Sequence, residues 1–217
     1  MTEADLAAEM VALARSLFDR GLSPGSSGNL SARLPGGGFL MTPTNASLGA
    51  LDPAHLSRLS AEGVHLGGDK PTKEAFLHLA MYAGRPALGA VVHLHSSHAV
   101  AWSCLAGLDP ADALPPLTPY LHMRVGPVAL APYARPGDPA LGPEIARLAA
   151  RHAGILIANH GPVVGAATLR DAVFAAEELE EGAKIALLTR PHGPRRLPPE
   201  ALSALDAIAL RPPEARP

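Results

Sequence analysis

The segment AVVHLH at residues 90–95 constrains the fold of this chain more than any other stretch. It is short, apolar and β-branched, which is typical of a buried strand. Because side chains alternate along a strand, His93 and His95 leave the same face. Burying two imidazoles side by side is costly unless they have partners. A divalent metal ion is one such partner, since a catalytic zinc site typically combines about three protein ligands with an open position.

His160 is a third candidate ligand. It lies in the segment IANHGP at residues 157–162, directly after a second apolar run. This position, where a buried strand gives way to a loop, is one where functional residues are often built. Three histidines without a further protein ligand leave a coordination position free, which favours catalysis over a structural role. For His93 and His95 taken alone, the alternative is a pair of hydrogen-bonded core histidines.

The composition indicates one globular domain. The 217 residues are 47% hydrophobic and 18% charged, which allows a sizeable core and excludes disorder. A net charge of −2 without a basic cluster predicts no nucleic-acid partner. The acidic N-terminus and the lack of a long apolar run predict a cytoplasmic protein with no membrane partner. The single cysteine, Cys104, excludes an internal disulfide and is expected to be a buried thiol.

The periodicity of apolar residues predicts alternating helices and strands, and hence a mixed or antiparallel sheet with helices outside it. The first helix is expected to have Thr2 as its cap and Gly21 as its stop. Residues 1–190 form the predicted catalytic domain, and 191–217 a proline-rich tail that is either packed on the surface or mobile. Helices are predicted near 2–20, 72–83, 99–105, 139–152 and 168–188, and strands near 30–34, 39–41, 90–95, 123–125, 128–130 and 154–158.

Glu74 is a candidate acid/base. The pattern predicts a helix with Thr72 as its N-cap, which places Glu74 in the first turn. A carboxylate there is ordinary, because it complements the helix dipole. The alternative is a general acid/base or a fourth ligand beside a metal. His78 lies four residues later on the same helical face, and we expect it to pack or to support the site.

Three loops rich in small residues form a candidate phosphate site. They offer hydroxyls, amides, exposed backbone N–H groups and one lysine, and the third is expected at a helix N-terminus, where anions are favoured. Taken singly, such loops are usually only turns. The candidate phosphate- and substrate-binding residues are Gly28, Asn29, Thr44, Asn45, Thr72 and Lys73.

The ordered set of motifs resembles the class II aldolase/adducin family over about residues 3–190. The motifs are SGNLS (27–31), TPT (42–44), KPTKE (70–74), VVHLHS (91–96) and ANHGP (158–162). Within that family the stretches GGDKPTKE (67–74), LPPLTPY (114–120) and YARPGDP (133–139) are most similar to the 3-oxo-tetronate 4-phosphate decarboxylase branch. One departure is Asn45, where relatives often have glycine. Asparagine tolerates a left-handed backbone, so we expect the turn to survive.

The resemblance implies a three-layer α/β/α sandwich around a mixed, largely antiparallel sheet, and a homotetramer with sites at the subunit interfaces. It implies one zinc ion per subunit on His93, His95 and His160, although three imidazoles also suit other divalent transition metals. Glu74 is expected to be the catalytic acid/base, and the three loops to hold the substrate's phosphate. Tyr120 is a further candidate catalytic residue, reaching the site of a neighbouring subunit.

The implied reaction is metal-dependent decarboxylation of 3-oxo-tetronate 4-phosphate to dihydroxyacetone phosphate and CO2, through a metal-stabilised enediolate. One alternative is a class II sugar-phosphate aldolase or epimerase, similar to fuculose-phosphate aldolase, since an aldol cleavage passes through the same enediolate. The other is a non-enzymatic, adducin-like interaction module. The three histidines and Glu74 argue against the module, because a scaffold has no need of an open metal site.

Overall fold

In the computed structural model, which describes residues 2–213, eight strands form one sheet. Their spatial order is β4-β3-β2-β1-β5-β8-β7-β6. Neighbouring strands are antiparallel except for β6 and β7, which are parallel. The predicted mixed, largely antiparallel sheet is therefore confirmed. The strands are β1 (Asn29–Arg33), β2 (Phe39–Met41), β3 (Ser57–Leu59), β4 (His65–Gly67), β5 (Ala90–His93), β6 (Val128–Ala131), β7 (Gly154–Ile157) and β8 (Gly161–Ala166).

Both faces of the sheet carry apolar side chains, and helices cover both faces. Side chains alternate along β5: Val92 packs in the core cluster that includes residues of the first and sixth helices, and Val91 in the cluster that includes the second and fifth. This is the three-layer arrangement expected from the resemblance. The helices are α1 (Glu3–Asp19), α2 (Ala75–Gly84), α3 (Ser97–Ser103), α4 (Pro119–Arg124), α5 (Gly142–Ala149), α6 (Leu169–Thr189) and α7 (Pro199–Asp206).

Local sequence chemistry explains where the longest helices begin. Thr2 caps α1 in a capping box with Asp5, and Thr168 caps α6 by accepting from the backbone N–H of Asp171. The first helix ends at Asp19, before Gly21, which has a positive φ of 74°. The predictions for these two helices are confirmed. The strands predicted near 30–34 and 39–41 are present as β1 and β2, which pair as an antiparallel hairpin.

Several predicted boundaries are wrong. The strand expected over 90–95 ends at His93, so His95 lies just beyond it. Residues 123–125 belong to the end of α4 and its cap, because Val125 N donates to Leu121 O. The sequence analysis also missed β8, which lies in the middle of the sheet between β5 and β7. Gly161 and Pro162 resemble a turn in sequence, yet they begin this strand.

Two further expectations about single residues are wrong. Thr72 is not the N-cap of α2: that helix begins at Ala75, with Glu74 at the cap position. The hydroxyl of Thr72 accepts from Glu74 N at 3.3 Å in the turn before the helix, and its backbone N–H donates to Thr42 O at 3.2 Å, which ties the loop to the end of β2. Cys104 is exposed rather than buried, because it follows the short helix α3 at the surface.

The C-terminal segment packs against the domain as far as the structure describes it. Leu210 N donates to Met123 O at 2.9 Å, and the buried Arg85 donates through Nε to Pro213 O at 2.9 Å. The guanidinium of Arg85 also donates to the carbonyl of Pro212. Within residues 2–213 the helices are all too short or too polar to cross a membrane.

Candidate metal centre and substrate pocket

Three imidazoles converge at one end of the neighbouring strands β5 and β8. His93 is the last residue of β5, and His160 lies in the turn between β7 and β8. The pairing of β5 with β8, which sets His93 opposite Val163, brings these distant segments together. His95 Nε2 lies 3.1 Å from His93 Nε2 and 3.1 Å from His160 Nε2. The expected convergence of the three side chains is present.

The start of α3 fixes the chain just after His95. The buried carboxylate of Glu180, on α6, accepts from the backbone N–H of His98 at 3.0 Å and of Ala99 at 2.8 Å. These two hydrogen bonds satisfy N–H groups that the first turn of a helix leaves without partners. His95 is therefore held between the end of β5 and an anchored helix N-terminus.

Glu74 completes the cluster from the opposite side. Its position before α2 turns the carboxylate toward the imidazoles, with Oε1 3.2 Å from His160 Nε2 and Oε2 3.4 Å from His93 Nε2. The candidate ligand atoms of Glu74, His93, His95 and His160 all lie within 4.8 Å of one another. A carboxylate at this position can act as a ligand or as an acid/base next to a bound ion.

The hydrogen bonds of the cluster fit a divalent cation. His93 Nδ1 lies 2.8 Å from Pro162 O, and a carbonyl only accepts, so Nδ1 carries the hydrogen and Nε2 has a free lone pair. His95 Nε2 faces both other imidazoles, and one N–H cannot serve both. Nitrogens bound tetrahedrally to one zinc ion lie roughly 3.3–3.4 Å apart, close to the spacing seen here. The backbone carbonyl that orients His93 is the usual support of a metal-binding imidazole.

The electrostatics favour the metal-binding forms of these groups. Burial lowers the pKa of His93 to about 4, although the nearby Glu74 opposes this shift, and burial also lowers the pKa of His95. Burial alone would raise the pKa of Glu74. The hydrogen bond from His160, the neighbouring His93 and the amide of Asn29 outweigh it and hold that pKa below its usual range. Near neutral pH, His93 is therefore neutral and Glu74 is ionised.

A pocket of about 250 Å³ opens beside the cluster. The structure brings the three predicted phosphate loops together in its wall, and a hydrogen bond from Thr44 N to Lys70 O at 2.9 Å joins two of them. Larger clefts elsewhere contain none of the three histidines. The sequence analysis assigned no contact to Ser26, Pro43, Pro136 or Gly137, although the last three lie in the TPT and YARPGDP motifs. The lining residues are Ser26, Ser27, Gly28, Asn29, Pro43, Thr44, Asn45, Thr72, Lys73, Glu74, His95, Pro136 and Gly137.

Two pocket residues have a left-handed backbone. Gly28 has a φ of 78°, and a Cβ there would lie 2.6 Å from Ser23 Oγ and 3.2 Å from His93 O. Glycine is therefore needed for this loop to approach the end of β5. Asn45 has a φ of 58°, so the turn survives with asparagine, as expected.

Asn29 has a role that the sequence analysis did not foresee. Its Nδ2 donates to Glu74 Oε2 at 2.8 Å, and its Oδ1 lies 2.5 Å from Nε2 of the buried His78. The spacing of four residues between Glu74 and His78 predicts that these two side chains lie near each other, but not that Asn29 lies between them. The predicted phosphate contact of Asn29 stays a prediction, because Nδ2 carries a second hydrogen.

Tyr120 lies apart from the cluster within the described chain. It is on α4, its side chain is exposed, and it is absent from the lining of the pocket. The predicted role of Tyr120 is in the site of a neighbouring subunit, so it stays a prediction.

Comparison with known proteins agrees with this geometry. Residues 8–187 match the family described as the class II aldolase and adducin N-terminal domain. A 3-oxo-tetronate 4-phosphate decarboxylase from Escherichia coli is 51% identical over 183 residues, covering 84% of this chain and 86% of the relative. An L-fuculose phosphate aldolase from the same species is 32% identical over 82% of this chain and 83% of the relative. The crystal structure of YgbL from Klebsiella pneumoniae superposes with a TM-score of 0.92 at 47% identity, covering 94% of this chain and 99% of that one.

Proposed function

Because the chain belongs to the class II aldolase and adducin family, we propose that it is a carboxy-lyase that converts 3-oxo-tetronate 4-phosphate to dihydroxyacetone phosphate and CO2. The observation that carries this proposal is the histidine cluster with Glu74 at the wall of a polar pocket. His95 and Glu74 line the pocket, whereas His93 is fully buried behind them. A substrate that enters the pocket therefore meets the open side of the cluster.

The pocket loops hold the phosphate end of the substrate. Thr44 and Thr72 offer hydroxyls, Lys73 offers an exposed cation, and Gly28 lines the same pocket. Binding energy at this remote end orients the reacting carbons, so it raises the rate of the chemical step. Loss of these contacts is expected to raise KM as well as to lower kcat.

The reaction breaks the bond between C1 and C2 of a β-keto acid. The carboxylate leaves as CO2, the electron pair moves toward the C3 carbonyl, and C2 then takes up a proton. His93, His95 and His160 would hold a divalent cation, which would supply Lewis-acid stabilisation for the negative charge on the carbonyl oxygen. Glu74, at the pocket wall and hydrogen-bonded to Asn29, manages the proton at C2.

We assign zinc as the ion and a homotetramer as the assembly, with Tyr120 contributing to a neighbouring site. Three imidazoles at these spacings suit zinc, and the exposed Tyr120 is free to reach another subunit. Elemental analysis of protein purified without chelator tests the zinc assignment, with about one zinc per chain expected. Sedimentation equilibrium tests the homotetramer. The Tyr120→Phe variant tests the role of Tyr120, with a loss of kcat expected.

Aldol cleavage of a sugar phosphate is the second candidate, favoured by the 32% identity to an L-fuculose phosphate aldolase. Direct measurement separates the two activities. CO2 release is measured from both C2 epimers of 3-oxo-tetronate 4-phosphate, and condensation from dihydroxyacetone phosphate with aldehydes. CO2 release with product formation is the expected result. Condensation without any CO2 release from the acid would overturn the decarboxylase assignment.

A further inference from the structure

A buried chain of hydrogen bonds leads from the core to Glu74. Tyr82 Oη lies 2.8 Å from Ser31 Oγ, which lies 2.7 Å from His78 Nδ1. His78 Nε2 lies 2.5 Å from Asn29 Oδ1, and Asn29 Nδ2 lies 2.8 Å from Glu74 Oε2. Each of these five residues is 9% exposed or less. A continuous polar chain in an apolar core is costly unless each member is satisfied.

The donors of this chain have one self-consistent direction. The amide N–H of Asn29 donates to the carboxylate of Glu74, so its oxygen faces His78 and must accept. His78 therefore has its hydrogen on Nε2 and a lone pair on Nδ1. Ser31 donates to that lone pair and accepts from the hydroxyl of Tyr82. All four donors point toward Glu74.

The surroundings keep the members in the required forms. Burial lowers the pKa of His78 to about 3, so the ring is neutral and has a single N–H. Burial also raises the pKa of Tyr82, which therefore keeps its hydroxyl hydrogen. Ser31 and Tyr82 lie on β1 and α2, so the chain joins the sheet to the helix that begins just after Glu74.

We propose that His78 is a positioning residue, whose Nε2–H fixes the amide of Asn29 so that Asn29 holds the carboxylate of Glu74 against the histidine cluster. This role rests on the proposed function of Glu74. Without the N–H of His78, the buried Oδ1 of Asn29 loses its donor. The amide then shifts toward another donor, and the carboxylate of Glu74 loses the partner that holds it toward the cluster and the pocket.

Two substitutions separate the N–H from the bulk of the ring. His78→Gln keeps an N–H that can reach Asn29, whereas His78→Met fills similar space without a donor. We expect His78→Met to lower kcat by about 10²-fold, the scale of a misplaced catalytic group, with KM and bound metal nearly unchanged. His78→Gln is expected to retain most of kcat. Equal kcat values for the two variants would overturn the proposal.

Two measurements do not depend on turnover. The ¹⁵N shifts of His78 in the parent are expected to show the neutral Nε2–H tautomer, and the Nδ1–H tautomer would overturn the proposal. Crystal structures of both variants are expected to show Glu74 in its parent rotamer with glutamine and rotated with methionine. An unmoved Glu74 in His78→Met would also overturn it. If the parent protein has no decarboxylase activity, the proposed function is wrong. The ¹⁵N shifts and the crystal structures would still decide whether His78 orients Glu74.

Discussion

Replacing Gly28 by alanine is expected to destabilise the protein through two effects that the structure separates. The first is backbone strain, because alanine in a left-handed conformation costs roughly 1–2 kcal/mol and Gly28 has a φ of 78°. The second is a collision, since the new Cβ would lie 2.6 Å from Ser23 Oγ and 3.2 Å from His93 O. Ser23 is buried and donates to Ser27 O. Moving Ser23 forfeits that hydrogen bond, at about 0.5–1.5 kcal/mol.

Gly25 is a matched control in the same loop. It also has a positive φ, of 63°, but nothing lies within 4 Å of a Cβ built there. Gly25→Ala should therefore cost only the strain, roughly 1–2 kcal/mol, and Gly28→Ala about 1.5–3.5 kcal/mol in all. For a chain of this size each kcal/mol lowers Tm by about 2–4 °C, so scanning calorimetry resolves the difference.

The double variant Ser23→Ala/Gly28→Ala tests the source of the collision. Removing the Ser23 hydroxyl relieves the 2.6 Å contact and leaves the 3.2 Å contact with His93 O. We expect it to recover part of the Tm lost by Gly28→Ala, measured against Ser23→Ala alone. Equal losses for Gly25→Ala and Gly28→Ala would refute the idea that the loop needs glycine to approach β5.

Three further outcomes are expected. Glu74→Gln should lower kcat by at least about 10²-fold with the metal content, by elemental analysis, unchanged; retained activity would remove Glu74 from the proton step. Truncation after residue 211 removes the Pro212 and Pro213 carbonyls that accept from the buried Arg85. It should cost about 1–3 kcal/mol by urea unfolding, and Arg85→Met in the truncated chain should recover part of that loss. In metal-free protein, His78 and His93 stay neutral when folded, with pKa values of about 3 and about 4, but take up protons below about pH 6.5 when unfolded. The free energy of unfolding should therefore fall as pH drops from 6.5 toward 4, by up to about 1.4 kcal/mol per pH unit for each histidine. Urea titrations at several pH values should show that the free energy of unfolding of His78→Gln depends less steeply on pH than that of the parent.

The sequence predicts those parts of the fold whose signal is local. The β-branched run before His93 and the capped, amphipathic helices α1 and α6 are examples, since each is specified by neighbouring residues. β8 was missed because Gly161 and Pro162 have the composition of a turn. Pro162 is tolerated because it stands next to the first residue of the strand.

The site divides in the same way. Strand alternation and helical spacing predict that His93 meets His95 and that Glu74 lies near His78, although His95 lies beyond β5 and Glu74 lies before α2. The contact between His78 and Asn29 joins residues 49 positions apart, so it depends on how β1 packs against α2. The position of the loop before α2 likewise depends on a distant partner, since the N–H of Thr72 donates to Thr42 O. No local pattern contains that information.

The carbonyl of Pro162 links the register of the sheet to the chemistry of the site. It accepts from Leu94 N at 3.2 Å and from His93 Nδ1 at 2.8 Å, which uses both of its lone pairs. The first hydrogen bond continues the pairing of β5 with β8, and the second selects the tautomer that leaves His93 Nε2 free. A slip of one residue between these strands would turn the side chains of one strand to the opposite face and separate His93 from His160. The hydrogen bonds that join β5 to β8 therefore also set His93 beside the turn that holds His160, so these two candidate ligands meet at a buried end of the sheet.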